Sequence, residues 1–162
     1  MNRILIHGGI LSLIGGLLIL GSLKVNPRLW LQDFPDDIQQ AVAPRTRWEK
    51  KLAALWGVPY LLVSLAVPTI SCYLMRRTDP SVSYGALYVN AFGIATLFNL
   101  FDLLVIDWLV ICAITPDFVV VPGTRGAAGY KNYGHHLRGF FVGMMASVVI
   151  CAGIAGLVKL VG

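Results

Sequence analysis

At 162 residues the chain has the length of one domain, yet 57% of it is hydrophobic and only 13% is charged, about half the share of charged residues that an average soluble domain carries. A mean hydropathy of +0.74 argues against a water-soluble globule. The net charge of +5, set around long apolar runs, reads as a record of membrane topology and implies no nucleic-acid partner.

Four apolar runs, 4–23, 52–75, 84–114 and 139–161, are each long enough to cross a hydrocarbon core of ~30 Å at ~1.5 Å per residue. The expected fold is an all-α integral membrane protein, a four-transmembrane-helix bundle forming a single membrane domain over 1–162. Its first loop is long and partly helical, and its third loop is Gly-rich.

The first run begins after Arg3 and has the make-up of a secretory signal, but its end, LGSLKV, lacks a small-x-small cleavage site, and it reads as a retained span. Gly8, Ser12 and Gly16 share one face of it. Small residues at that spacing let two backbones approach in lipid, either within the protein or against a second copy. His7 lies toward the helix end as an interfacial polar residue.

In the first loop, Pro35 followed by Asp36 and Asp37 opens a short helix that Pro44 ends. Thr46 and Glu49 then fit a capping box, so the second long helix is expected to begin before its apolar run. Arg47, Lys50 and Lys51 on its first turns suit either membrane lipids or the anionic head of a bound amphiphile. Pro59 and Pro68 interrupt the backbone ladder further along.

The third run carries the unusual chemistry. Asp102 and Asp107 stand inside it, and an ionised carboxylate at mid-membrane costs ~2.5–3.5 kcal/mol or more. At about 100° per residue, Thr96, Asn99, Asp102 and Asp107 fall within an arc of about 140°. This polar stripe is expected to face the bundle interior, with Asn90, Phe101 and Trp108 on the other side.

The third loop brings Asp117, the turn Pro122-Gly123 and the segment GTRGAAGYKNYG to the same side, followed by His135, His136 and Arg138. An imidazole offers a ring nitrogen as general base or metal ligand, but neighbours on a helix diverge by about 100°, so one histidine is expected inward and one outward. The Gly-rich segment has neither a P-loop ending nor a dinucleotide fingerprint. The last run repeats the small-residue spacing with Gly139, Gly143, Ser147 and Cys151, a seam expected against the first helix or a second copy. The cysteines, Cys72, Cys112 and Cys151, read as small apolar residues.

Of the thirteen Lys and Arg residues, nine lie in 24–51 and 115–138 and four near the termini and the 76–80 turn. That asymmetry is expected to place both long loops in the cytoplasm and the termini outside, the membrane being the plasma or inner membrane if the source is bacterial. The functional expectation is a buried polar site that binds or processes a lipid or other amphipathic small molecule. Asp107, His135 and His136 are its candidate acid–base residues. Asn99, Asp102, Asp117, Arg47, Lys50 and Arg138 are its candidate ligand-binding residues. No metal ligand set is discernible and the cofactor is open. The alternatives are a non-enzymatic accessory or scaffold subunit of a larger membrane complex, and an oligomeric proton- or ion-coupled carrier.

Overall fold

The computed structural model describes residues 2–161. Among them there is no strand, and four helices are long and apolar enough to cross a membrane. Helix α1 (Asn2–Val25) leads through a 3-10 stretch (Pro27–Asp33) to the short α2 (Asp36–Gln40). Helix α3 (Arg47–Thr78) runs through both of its prolines, and Pro68 is buried in the core. Helix α4 (Tyr84–Phe101) continues without a break into a wider helix (Asp102–Ile114). A second 3-10 turn (Ala128–Lys131) precedes α5 (Tyr133–Val161).

Local chemistry sets the helix starts. Thr46 Oγ1 accepts from the Glu49 amide at 3.1 Å and Glu49 Oε2 accepts from the Thr46 amide at 2.7 Å, the reciprocal cap expected at α3. Glu49 also takes Arg28 Nε at 2.6 Å, which ties the first loop to this cap. Pro35, Asp36 and Asp37 open α2 as expected. The long helices outrun their apolar cores: α3 begins at Arg47 and α5 at Tyr133, the latter six residues before the expected 139.

Close packing explains the small residues. A Cβ on Gly8 would stand 2.6 Å from Leu97 Cδ2, one on Gly15 2.7 Å from Phe98 Cε2, and one on Gly16 2.9 Å from Phe101 Cε1. The first seam therefore lies against α4. The seam on α5 also meets α4, where Gly143 sits against Asn99 Oδ1. This corrects the expectation that the second seam faces α1. The side of α4 opposite the acids is not left to the surroundings either: Asn90 is buried and donates to Ser71 Oγ at 2.9 Å, and His7 Nδ1 lies 2.7 Å from the same hydroxyl. Helix α4 is thus the central helix, packed on several sides. Much of α3 stays open, with Leu55, Val58, Leu61, Leu62 and Ile70 exposed.

The two long loops close one end of the bundle together. Phe34, Ile38, Val119, Val121 and Tyr130 are buried in one cluster with the helix ends. Fully burying such a side chain stabilises by about 1.5–3 kcal/mol. The Tyr130 hydroxyl takes the Val121 amide at 2.8 Å and meets Thr124 Oγ1 at 2.7 Å. Asp37 accepts the Gly129 amide at 2.7 Å and so joins the first loop to the third.

Candidate functional site

Beneath that closure lies a cavity of about 400 Å³, within the ~300–1,000 Å³ typical of small-molecule sites. Its walls come from every long helix and from the first loop. Ile19, Leu23, Leu103, Ile106, Ile111 and Phe140 make the apolar part. Asn99, Asp102, Asp107, His135 and His136 make most of the polar part, joined by Gln32 and Asp33.

The winding of the third long helix brings the two acids together. Over Asp102–Ile114 the backbone bonds run i→i+5 in place of i→i+4, ending with the Thr115 amide on the Val110 carbonyl at 2.9 Å. Residues five apart then stand closer in projection than they do in an α-helix. In an α-helix the same two residues would diverge by about 140°. The wider winding is rare and recurs at functional sites. Here it puts both carboxylates on one cavity wall. Thr115, in the left-handed region at φ 50°, stops the helix.

His136 is the deepest of the polar groups from α5, at 8% exposure. Its Nδ1 stands 3.0 Å from Asp107 Oδ1. A carboxylate this close to one ring nitrogen leaves the other, Nε2, as the ring's free polar atom. Nε2 is buried and has no protein partner. Such a group has lost water and gained nothing in exchange, at a cost of about 1–3 kcal/mol. The Asp107–His136 pair therefore sets an imidazole and a carboxylate side by side on a cavity with apolar and polar walls.

Both histidines border the cavity, which corrects the expectation that only one does. The first loop folds over the start of α5 and supplies a second wall, where His135 Nε2 donates to the Asp33 carbonyl at 3.0 Å. Asn99 spends its amide on the Ala95 carbonyl at 2.8 Å and on Ser147 Oγ at 3.3 Å. Trp30 Nε1 donates to Ser22 Oγ at 2.7 Å and edges Tyr60, both on the cavity wall.

Four of the candidate residues are elsewhere. Asp117 is exposed and paired with Arg125 at 2.6 Å. Arg47 and Lys50 are exposed on the first turns of α3, outside the cavity wall. Arg138 borders a shallow groove on the outer face of α5 with Leu137, Phe141 and Met145. The loop cations are engaged away from the cavity: Arg28 with Glu49, Arg125 with Asp117, and Lys131 with the Ala113 carbonyl and Thr115 Oγ1.

Asp33, Gln32, Trp30 and Tyr60 are site residues that the chain order hides. Asp33 carried one signal, a lone acid between apolar Leu31 and Phe34. It is open to the cavity mouth yet crowded by protein. That burial raises its carboxyl above the ordinary range, against the lowering pull of Arg45, the Gln32 side chain and His135. Among the described residues no three His, Cys, Asp or Glu side chains gather to hold a metal ion. Set beside models of protein families, characterised proteins and solved structures, the chain matches none.

Proposed function

We propose that the four long helices cross a bilayer and that the cavity takes an amphipathic small molecule, on which the Asp107–His136 pair acts as proton acceptor and donor. One observation carries this reading: an imidazole whose Nδ1 lies 3.0 Å from a carboxylate and whose buried Nε2 has no partner, both residues lining a cavity of about 400 Å³. Mixed apolar and polar walls suit a molecule with a hydrocarbon body and one polar end. A positioned acid–base side chain contributes about 10²–10⁴-fold to a proton-transfer step. The membrane lipids around the bundle are a natural source of the ligand. The basic residues of both long loops favour a cytoplasmic opening.

Native mass spectrometry from mild detergent tests the reading directly. The wild-type protein is expected to retain a small molecule at one per chain. Asp102→Asn and Asp107→Asn should lower its occupancy at least tenfold. Gly139→Leu provides a steric counterpart, because Gly139 lines the cavity and a Cβ there meets nothing within 4 Å. Full retention in all three variants removes the proposal.

A further inference from the structure

The cavity wall has an imbalance of charge. Three of its donors are spent inside the protein, Asn99 on Ala95 and Ser147, Trp30 on Ser22, and His135 on the Asp33 carbonyl, while the Gln32 side chain lies against Asp33 and the Tyr60 hydroxyl is the wall's remaining neutral donor. Two acceptors stand out. No hydrogen bond from the described residues reaches the Asp102 carboxylate, and His136 Nε2, 8% exposed as a residue, has no partner. That Nε2 is a buried polar atom on a residue of the cavity wall. No Lys or Arg lines the cavity. Counting Asp107 against His136, Asp102 is left without a cation, and Asp33 has only Arg45 nearby, itself off the wall. This is the reverse of the chain as a whole, whose net charge is +5.

A wall with three carboxylates and no Lys or Arg calls for a ligand that brings positive charge, and the unpartnered Asp102 and His136 call for one that brings donors. Resting on the amphiphile pocket proposed above, we infer that the ligand carries a primary ammonium group on an apolar body. The ammonium donates one N–H to Asp102 and one to His136 Nε2, and Asp33 at the mouth draws the cation in. The hydrocarbon part lies along Ile19, Leu103 and Phe140. An anionic head, the alternative suggested by Arg47, Lys50 and Arg138, has none of those cations on the wall.

A matched set of probes separates charge from donor capacity: octylammonium, octyltrimethylammonium, 1-octanol and octanoate, titrated into the full chain in lipid nanodiscs. The readout is the Trp30 indole N–H resonance, assigned by its loss in Trp30→Phe. Octylammonium is expected to shift it saturably and at least tenfold more tightly than the other three, and Asp102→Asn should weaken that binding at least tenfold. Should Asp102→Asn fail to fold, Asp33→Asn on the loop takes its place, with an expected weakening of at least threefold. If octanol or octanoate binds as tightly with the same dependence on Asp102, the ammonium is wrong and the amphiphile pocket stands. If octyltrimethylammonium matches octylammonium, charge alone suffices and the donor assignment falls. Stoichiometric Mn²⁺ that broadens the resonance and is not displaced by octylammonium replaces the amine with a metal cation. A saturable shift with none of these probes overturns the ammonium and the pocket together.

Discussion

Asp33 shows how a single group at the cavity mouth reports on its surroundings. Crowding by protein raises its carboxyl above the ordinary range, even with Arg45 nearby. Below the unfolded value, about 3.9, both states hold the proton and the charge costs nothing. As pH rises through the elevated folded value, the native state must either keep a proton that the unfolded chain has released or bear a poorly solvated charge. Stability contributed by the protonated form is then lost. Asp33→Asn removes this dependence. Thermal unfolding in detergent is expected to show the variant more stable than wild type at about pH 7 and equal to it at about pH 3. A variant less stable at the higher pH would mean that Arg45 dominates. If the ligand is the ammonium proposed above, its uptake should weaken as the pH falls through the Asp33 titration.

At the scale of elements, caps and close approaches have distinct signatures. Thr46→Ala removes the hydroxyl that receives the Glu49 amide, and a lost N-cap of this kind costs about 1 kcal/mol. Reversible unfolding in mixed micelles should register that loss without altering ligand retention, because the cap lies off the cavity wall. Gly143 behaves differently. A Cβ there would stand 2.7 Å from Asn99 Oδ1, and either Asn99 turns away from Ser147 or the two helices part. Gly143→Ala is therefore expected to lower both stability and ligand occupancy, and an unchanged occupancy would show that Asn99 can move without consequence. Both elements were legible in the sequence, through the Thr-x-x-Glu pattern and the four-residue glycine spacing. The winding over Asp102–Ile114 was not. Nothing in DLLVIDWLVICAI distinguishes i→i+5 from i→i+4, since both wind the same apolar residues. The 100° projection consequently placed Asp102 and Asp107 at the two edges of a stripe, whereas the wider helix sets them closer in projection.

For the molecule as a whole, four apolar runs sufficed to locate the four long helices because length and hydropathy are local properties. Gathering of site residues depends on contacts distant in the chain. Helical register carried Asn99, Asp102 and Asp107 to the cavity, and proximity to the start of α5 carried His136. Asp117, Arg47, Lys50 and Arg138 share the same end of the bundle yet point elsewhere, so membership of an end is weaker information than register. Asp33 and Trp30 enter only because the first loop folds back over α5. The contact from Asp37 to Gly129 and that from His135 to Asp33 put both long loops at one end, so the bilayer reading proposed above gives them one common side. Single cysteines introduced at Gln40 and Ser81 in a chain whose native Cys72, Cys112 and Cys151 are replaced by Ala test the orientation. In intact bacterial cells an impermeant maleimide is expected to label position 81 and spare position 40, and the converse pattern would reverse the topology.

Lys131 reaches from the third loop to the end of the wide helix, where its ammonium meets the Cys112 and Ala113 carbonyls and Thr115 Oγ1. A helix bonded i→i+5 leaves one more carbonyl free at its C-terminal end than an α-helix does, and three N–H donors on a flexible stem are well matched to that surplus. The pitch of the segment is thus clamped from outside, by a residue that never touches the cavity. Removing the charge and the donors while keeping the stem, as in Lys131→Met, frees those residues to rewind to the tighter spacing. Asp107 would then swing away from Asp102 and from His136 Nδ1. A loop lysine thus sits where it can act on the winding from a distance, and Lys131→Met, which keeps the stem, is expected to lower ligand retention in the mass-spectrometric assay, whereas full retention would show that the winding holds without it.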